Sequence, residues 1–155
     1  MARSSVKISK TRVRFPKKIE IKVGVLDGDK RYSDESVESV GEIAEKHEFG
    51  LGVPQRSWLR EWFDAKAIEL KDGAKKAFEF AAQTSGDPAK GARIVAAQAQ
   101  ASIKGRIADG EVTPPITNPT TIAIKQEKGF NPPYTPLVET GLLLSSVTAE
   151  AEVTR

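Results

Sequence analysis

The sequence predicts an α+β domain: a small antiparallel sheet including strands from both ends of the chain, packed against two or three helices, with a basic N-terminal arm and a long proline-rich loop. Three observations carry this expectation. Residues 19–26 and 147–154 alternate apolar and polar side chains with period two, the pattern of strands with one buried face. Between residues 56 and 108 the apolar positions recur instead at spacings of three and four, the helical period. Across 111–136 six prolines interrupt any long regular element. The chain is 155 residues long, which suits one domain or a domain with an arm, and its 39% hydrophobic content supports a core that is mostly aliphatic and alanine-rich. The reading therefore divides it into an arm, 1–18, and a single domain, 19–155, in which 111–136 is the proline-rich loop.

The arm, "MARSSVKISKTRVRFPKK", is rich in charge and serine and weakly periodic. Residues 1–31 hold ten Lys and Arg against three carboxylates, or +7; with +3 for the whole chain, the other 124 residues carry −4. The basic character is thus N-terminal, and the body is mildly acidic. Ile19, Ile21, Val23 and Val25 form the apolar side of the first strand, which Asp27-Gly28-Asp29 ends with turn chemistry. A helix is expected to start near Ser33-Asp34, to bury Val37, Val40 and Ala44, and to stop at Phe49-Gly50. A long helix follows over 56–83 with Leu59, Phe63, Ala67, Leu70, Ala74, Ala77 and Ala81 as its stripe. Gly73 is expected to weaken or bend it, at about 1 kcal/mol relative to alanine.

Asp87-Pro88 reads as an N-cap followed by proline at the first helical position. The third helix then presents Ala92, Ala96, Ala99, Ile103 and Ile107 on one face and stops at Gly110. Alanine along that face permits close approach of another helix. Within the proline-rich loop, Asn118-Pro119-Thr120-Thr121 opens a short helical turn through Lys125. Glu139-Thr140-Gly141 leads into Leu142, Leu143 and Leu144, read as a short capped turn that delivers the chain into the second strand. That strand, with Val147, Ala149, Ala151 and Val153 on one side, has the 19–26 strand as its natural partner, since a lone strand leaves its backbone groups unpaired.

The same residues argue against catalysis. With no cysteine, disulfides and thiolate metal sites are excluded. His47 is the single histidine, and "HEFGL" lacks the second histidine of a zinc helix; it reads as structural or solvent-exposed. "GDPAKG" at 86–91 lacks the Gly-Lys-Ser/Thr ending of a phosphate loop and reads as helix capping. No nucleophile with a neighbouring base is identifiable, so no enzyme activity, cofactor or metal is expected. No apolar segment follows Met1-Ala2-Arg3, so no secretory leader is expected. Nor does any apolar run approach the roughly 18–20 residues that cross a bilayer, so no membrane partner is expected.

What remains is contact chemistry. Trp58 and Trp62, four apart between Arg56 and Arg60, either anchor their helix to the sheet or form an interface hot spot; with Leu59 and Phe63 in the stripe, at least one tryptophan is free to look outward. The arm, with Arg12, Arg14 and Phe15, is a solvated tail, a segment that docks on a neighbouring subunit, or a nonspecific nucleic-acid contact.

Three stretches carry the reading further. "SVESVGEIAEKHEFGLGVPQRSWLR" resembles a helix that ends in an acidic-Phe-Gly step, a loop with proline, and an aromatic-Leu-Arg helix start. "IKGRIADGEVTPPITNPTTIAIKQEKGF" resembles an I-x-x-x-I helix, a proline-rich loop and a Thr-Ile-x-x-Lys step. "TPLVETGLLLSSVTAEAEV" is similar to a P-L-I-D-T-G-x-L-x-x-S-I ending, with Val138 and Glu139 in place of Ile and Asp. Together, over roughly 19–153, they resemble the neck and tail-completion proteins of tailed bacteriophages, also called virion-morphogenesis or minor tail proteins. The resemblance implies a non-enzymatic structural protein of the virion head–tail junction, assembled in the host cytoplasm. It would form a homomeric ring, sixfold or twelvefold, between portal-side adaptor and tail proteins, with DNA passing close by. A tail terminator in the same connector, or a small nucleic-acid-binding protein acting through the arm, are the alternative readings. Ring subunits need two different complementary faces. The residues expected to supply them are Arg12, Arg14 and Phe15 of the arm, Trp58 and Trp62, and Pro114, Pro115, Phe130 and Tyr134 of the loop.

Overall fold

The computed structural model describes residues 16–31, 37–137 and 141–154. The elements run β1 (Lys18–Val25), α1 (Val40–Phe49), α2 (Arg60–Thr84), α3 (Pro88–Ala108), α4 (Pro119–Glu127), α5 (Leu142–Ser146) and β2 (Val147–Thr154). The fold is α+β: β1 and β2 pair antiparallel as a two-stranded sheet formed from the two ends of the described chain. One face of the sheet lies on α3, with α1 and α5 at its end, and α2 packs along α3.

The register explains why two strands suffice. Ile19, Ile21, Val23 and Val25 stand opposite Val153, Ala151, Ala149 and Val147, so every directly facing pair on the inner side is apolar. On the outer side Glu20 faces Glu152, and Lys22 Nζ approaches both, at 3.7 and 3.9 Å. Lys18 also pairs with Glu20. An isolated two-stranded ribbon is marginal in water, so its stability comes from the helix beneath it. Gln100 of α3 ties that helix to the sheet, donating from Nε2 to Val147 O at 3.0 Å.

The first helix is shorter than expected. It begins at Val40, and its cap is Ser39 rather than Ser33-Asp34. Ser39 Oγ accepts from Glu42 N at 3.3 Å while Glu42 Oε2 accepts from Ser39 N at 2.7 Å, a reciprocal capping box. Val37, expected in the buried stripe, lies before this cap and is 87% exposed. Residues 32–36, which include the expected start, lie outside the described residues.

The long helix is present from Arg60, and part of the expected stripe holds: Ala77 and Ala81 are buried, and Leu59 and Leu70 pack against the core. The difference lies in its N-terminal half, where Phe63 and Ala67 are exposed and Trp62 is buried. Burying Trp62 removes the larger apolar surface from water and gives the indole a partner: Trp62 Nε1 donates to Ser102 Oγ at 2.9 Å. Gly73 does not break the helix, which is continuous through it. Gly91 of α3 makes room for Phe78 of α2, since a Cβ there would stand 2.6 Å from Phe78 Cδ1.

The third helix follows its expected course. Asp87 Oδ1 accepts from Ala89 N at 3.0 Å, Pro88 opens the first turn, and Ala92, Ala96, Ala99, Ile103 and Ile107 are all buried. The core joins Val40, Ala44, Trp58, Trp62, Ile103, Ile107, Val112, Leu143 and Val147, with Leu142 and Leu144 packed against it.

The leucines thus close the end of the domain. Gly141 precedes them at φ 69°, the left-handed region, with nothing within 4 Å of the position a Cβ would take. Its requirement is conformational and not one of close packing. Gly141→Val is expected to lower stability by about 1–2 kcal/mol and Gly141→Asn by less, as read from urea unfolding; equal losses would remove the backbone explanation.

Candidate interface cavity

Gly50 ends α1 in the left-handed conformation, donating from its N–H to Lys46 O at 2.8 Å, and Leu51 N adds a bond to the same carbonyl at 3.0 Å. The chain then doubles back along the last turn. Arg56 N donates to His47 O at 2.6 Å, and Gln55 Nε2 and Ser57 Oγ both donate to Glu48 O, at 3.2 and 3.1 Å. Glu48, 8% exposed, does the next step. Its carboxylate accepts from Leu59 N at 3.0 Å and Arg60 N at 3.2 Å, and Arg60 Nε lies 3.5 Å away. The last turn of α1 therefore supplies the N-terminal cap that α2 lacks in its own sequence. Arg60 also stacks over Phe49, 5.5 Å from the ring centre. The acidic-Phe-Gly…aromatic-Leu-Arg spacing thus has a physical account: glutamate caps, phenylalanine receives the arginine, and glycine turns the chain.

Glu48→Ala is expected to lower stability by about 1–2 kcal/mol through the lost cap, with Glu48→Gln intermediate because its amide oxygen still accepts. Denaturant unfolding measures this, and a loss no greater than that of an exposed substitution such as Glu79→Ala would refute the capping role.

The proline-rich loop folds over the same corner. Arg56 Nε donates to Pro114 O at 2.9 Å, and Ile116 N donates to Tyr134 O at 2.9 Å. Asn118 Oδ1 accepts from Thr120 N and Thr121 N, at 2.9 and 3.2 Å, and so occupies the free amides of α4. Lys125, 2% exposed, donates from Nζ to Thr135 O at 2.6 Å and sits 5.1 Å from the centre of the Phe130 ring. Between these segments lies a cavity of about 510 Å³ whose walls include Ile43, His47, Val53, Arg56, Ile116, Lys125, Leu137 and Leu143.

The cavity wall combines Arg56, His47 and Lys125 with aliphatic side chains. Arg56 is 7% exposed; its guanidinium donates to Pro114 O and Pro54 O, and Nη1 lies 3.5 Å from His47 Nδ1. No carboxylate of the described residues reaches it. Burial pushes the pKa of the Arg56 guanidinium down, without removing its charge at neutral pH. Burial, and then the charge of Arg56, hold the His47 imidazole below its ordinary value near 6.5. A depressed histidine contributes stability that is present above the unfolded pKa and is lost as pH falls from about 6.5 toward the lower folded value. His47→Gln should flatten the stability profile across that window, followed by thermal unfolding between pH 7.5 and 5; an unchanged slope would contradict the assignment.

Of the residues expected at an interface, Arg12, Arg14 and Phe15 lie outside the described residues. Trp58 and Trp62 are 3% and 2% exposed, so neither looks outward. They act as anchors: Trp58 Nε1 donates to Ala44 O of α1 at 3.2 Å and Trp62 to Ser102 of α3, and both belong to the core that also holds Val147 of the sheet. Pro114, Pro115 and Tyr134 are exposed, while Phe130 is half-buried under Lys125. The Pro114 carbonyl accepts from Arg56 Nε, a residue of the cavity wall. Arg56, His47 and Lys125 were not singled out as contact residues by periodicity or composition; the one sequence signal for them was their position inside the first two resembling stretches.

Among the described residues no three His, Asp or Glu side chains cluster as a metal site, and no helix is long and apolar enough to cross a membrane. The chain matches no protein-family model, no curated protein and no solved structure.

Proposed function

We propose that this chain is a non-enzymatic structural protein of a tailed bacteriophage, a neck or collar subunit that forms a sixfold or twelvefold ring joining portal-side adaptor to tail around the DNA channel. What supports the reading is that the three stretches resembling that family, distant in sequence, meet at one place. His47 and Arg56 come from the first, Ile116, Thr121 and Lys125 from the second, and Pro136, Leu137 and Leu143 from the third; all line the same cavity. Motifs that converge on a surface cavity, and not only on the core, are what a contact protein requires. A tail-terminator subunit would occupy the same connector and use the same faces.

The test is the composition of purified phage particles. The chain should be found there at six or twelve copies per particle, and its absence from particles would overturn the proposal. The uneven charge, +7 over residues 1–31, favours one other reading, a small nucleic-acid-binding protein. In that case deletion of residues 1–18 abolishes a steeply salt-dependent DNA affinity. A connector subunit keeps its fold after that deletion and loses assembly or partner docking.

A further inference from the structure

The long helix carries a second exposed surface, none of whose residues lines the cavity. The outer face of α2 presents Phe63, 56% exposed, Ile68, 80% exposed, and between them the exposed carboxylate of Asp64. In the first turns of α2, Glu61 is bonded to Arg106 and Glu69 to Lys66, but Asp64 has no ion pair with the described residues. The cavity shows the reverse arrangement. Its Arg56 is more than nine-tenths buried, bonded only to carbonyls and an imidazole, and its Nη2 has no acceptor among the described residues. A buried guanidinium without a carboxylate is costly, and a planar carboxylate is its best-matched partner. The aliphatic walls at Ile43, Val53, Ile116 and Leu137 would cover the apolar side chains that flank Asp64.

The geometry points to a head-to-tail contact between copies of this chain, in which the Phe63–Asp64–Ile68 face of one copy seats on the cavity of the next and Asp64 reaches Arg56. The two faces are different, so the contact is heterologous and propagates until the rotation per copy closes it. The inference rests on the oligomeric part of the proposed function and names the residues that carry it.

Sedimentation velocity of the full chain tests it. The wild-type protein should assemble beyond a monomer. Asp64→Lys, on an exposed helix face, and Thr121→Trp, which fills the cavity from its exposed rim, should each be monomeric while keeping the wild-type circular dichroism and melting curve. Arg56→Gln should weaken association by at least about tenfold. An equimolar mixture of Asp64→Lys and Thr121→Trp should give a 1:1 heterodimer that grows no further, because one intact cavity and one intact α2 face survive. A monomeric wild type, a mixture that stays monomeric, or either variant assembling normally overturns the contact. Normal assembly of Asp64→Lys by a protein present in particles would sink this contact alone. Assembly through this contact by a protein missing from particles would instead sink the connector reading.

Discussion

Trp62→Ala should lower the free energy of unfolding by about 3–5 kcal/mol, the range for truncating a fully buried aromatic side chain. Trp62 is 2% exposed and sits where α2 meets α3, so little in its surroundings can collapse into the space it leaves. Its indole N–H bond to Ser102 Oγ at 2.9 Å adds a smaller contribution. Trp62→Phe separates the two effects: most of the apolar contact is retained, and the loss should fall to about 1–2 kcal/mol, a hydrogen bond plus a small void. The control is the neighbouring residue. Phe63 is 56% exposed, and Phe63→Ala should change stability by less than about 1 kcal/mol. Urea unfolding of the three variants decides the matter, and a larger loss at Phe63 than at Trp62 would mean that α2 is turned the other way. Against a total stability of about 5–15 kcal/mol, the Trp62→Ala chain should be the least stable of the three by a wide margin.

That comparison also shows where reading by periodicity stops. Leu59, Phe63, Ala67, Leu70, Ala74, Ala77 and Ala81 recur at three and four, but Trp58 and Trp62 are also four apart and lead to Leu70 two turns on, so both sets can share the C-terminal half of the helix. A count of apolar matches cannot rank them. The choice is made by α3, which offers Ser102 to one face only, and that contact spans forty residues of chain. The third helix was legible because its stripe is unambiguous and its cap is local: Asp87, Pro88 and the first free amide lie within three positions. The start of α1 is local too, as Ser39 and Glu42 form a capping box in sequence, but Ser33 and the acidic residues after it present a competing start and the apolar spacing runs back to Val37.

The cavity was less legible for a different reason. The buried charges of this corner, Arg56 and Lys125 on the cavity wall and Glu48 in the adjoining turn, are of types that composition assigns to the surface. Backbone groups partner each of them: two amides for Glu48, two carbonyls for Arg56 and a carbonyl for Lys125. Those partners are supplied by loops whose course follows from glycine and proline positions far away in sequence. Of the loop residues expected at an interface, Pro114, Pro115 and Tyr134 are exposed and Phe130 is half-buried, as befits a proline-dense segment that cannot enter a sheet or a long helix.

The terminal strand pairing is the expectation with the sharpest consequence, and Val147→Lys tests it. Val147 is 0% exposed, faces Val25 across the ladder, and follows directly on the leucine turn that seals the core. A lysine at the start of β2 would place an ammonium group in the core, where Val147 is fully buried among apolar side chains. An uncompensated buried charge costs on the order of 3–5 kcal/mol, enough to unfold or aggregate a domain of ordinary stability. Thr148, the next residue, points to the opposite face of the ladder and pairs with Gly24; Thr148→Lys adds the same charge one position along and should cost less than about 1 kcal/mol. Val23→Lys on β1, facing Ala149, should repeat the damage of Val147→Lys from the other strand. Soluble expression and thermal melting of the three variants distinguish the outcomes. Because side chains alternate strictly along a strand, a slip of one residue in the register would exchange the Val147 and Thr148 results, and equal tolerance of all three lysines would mean that the two ends of this chain do not share a sheet.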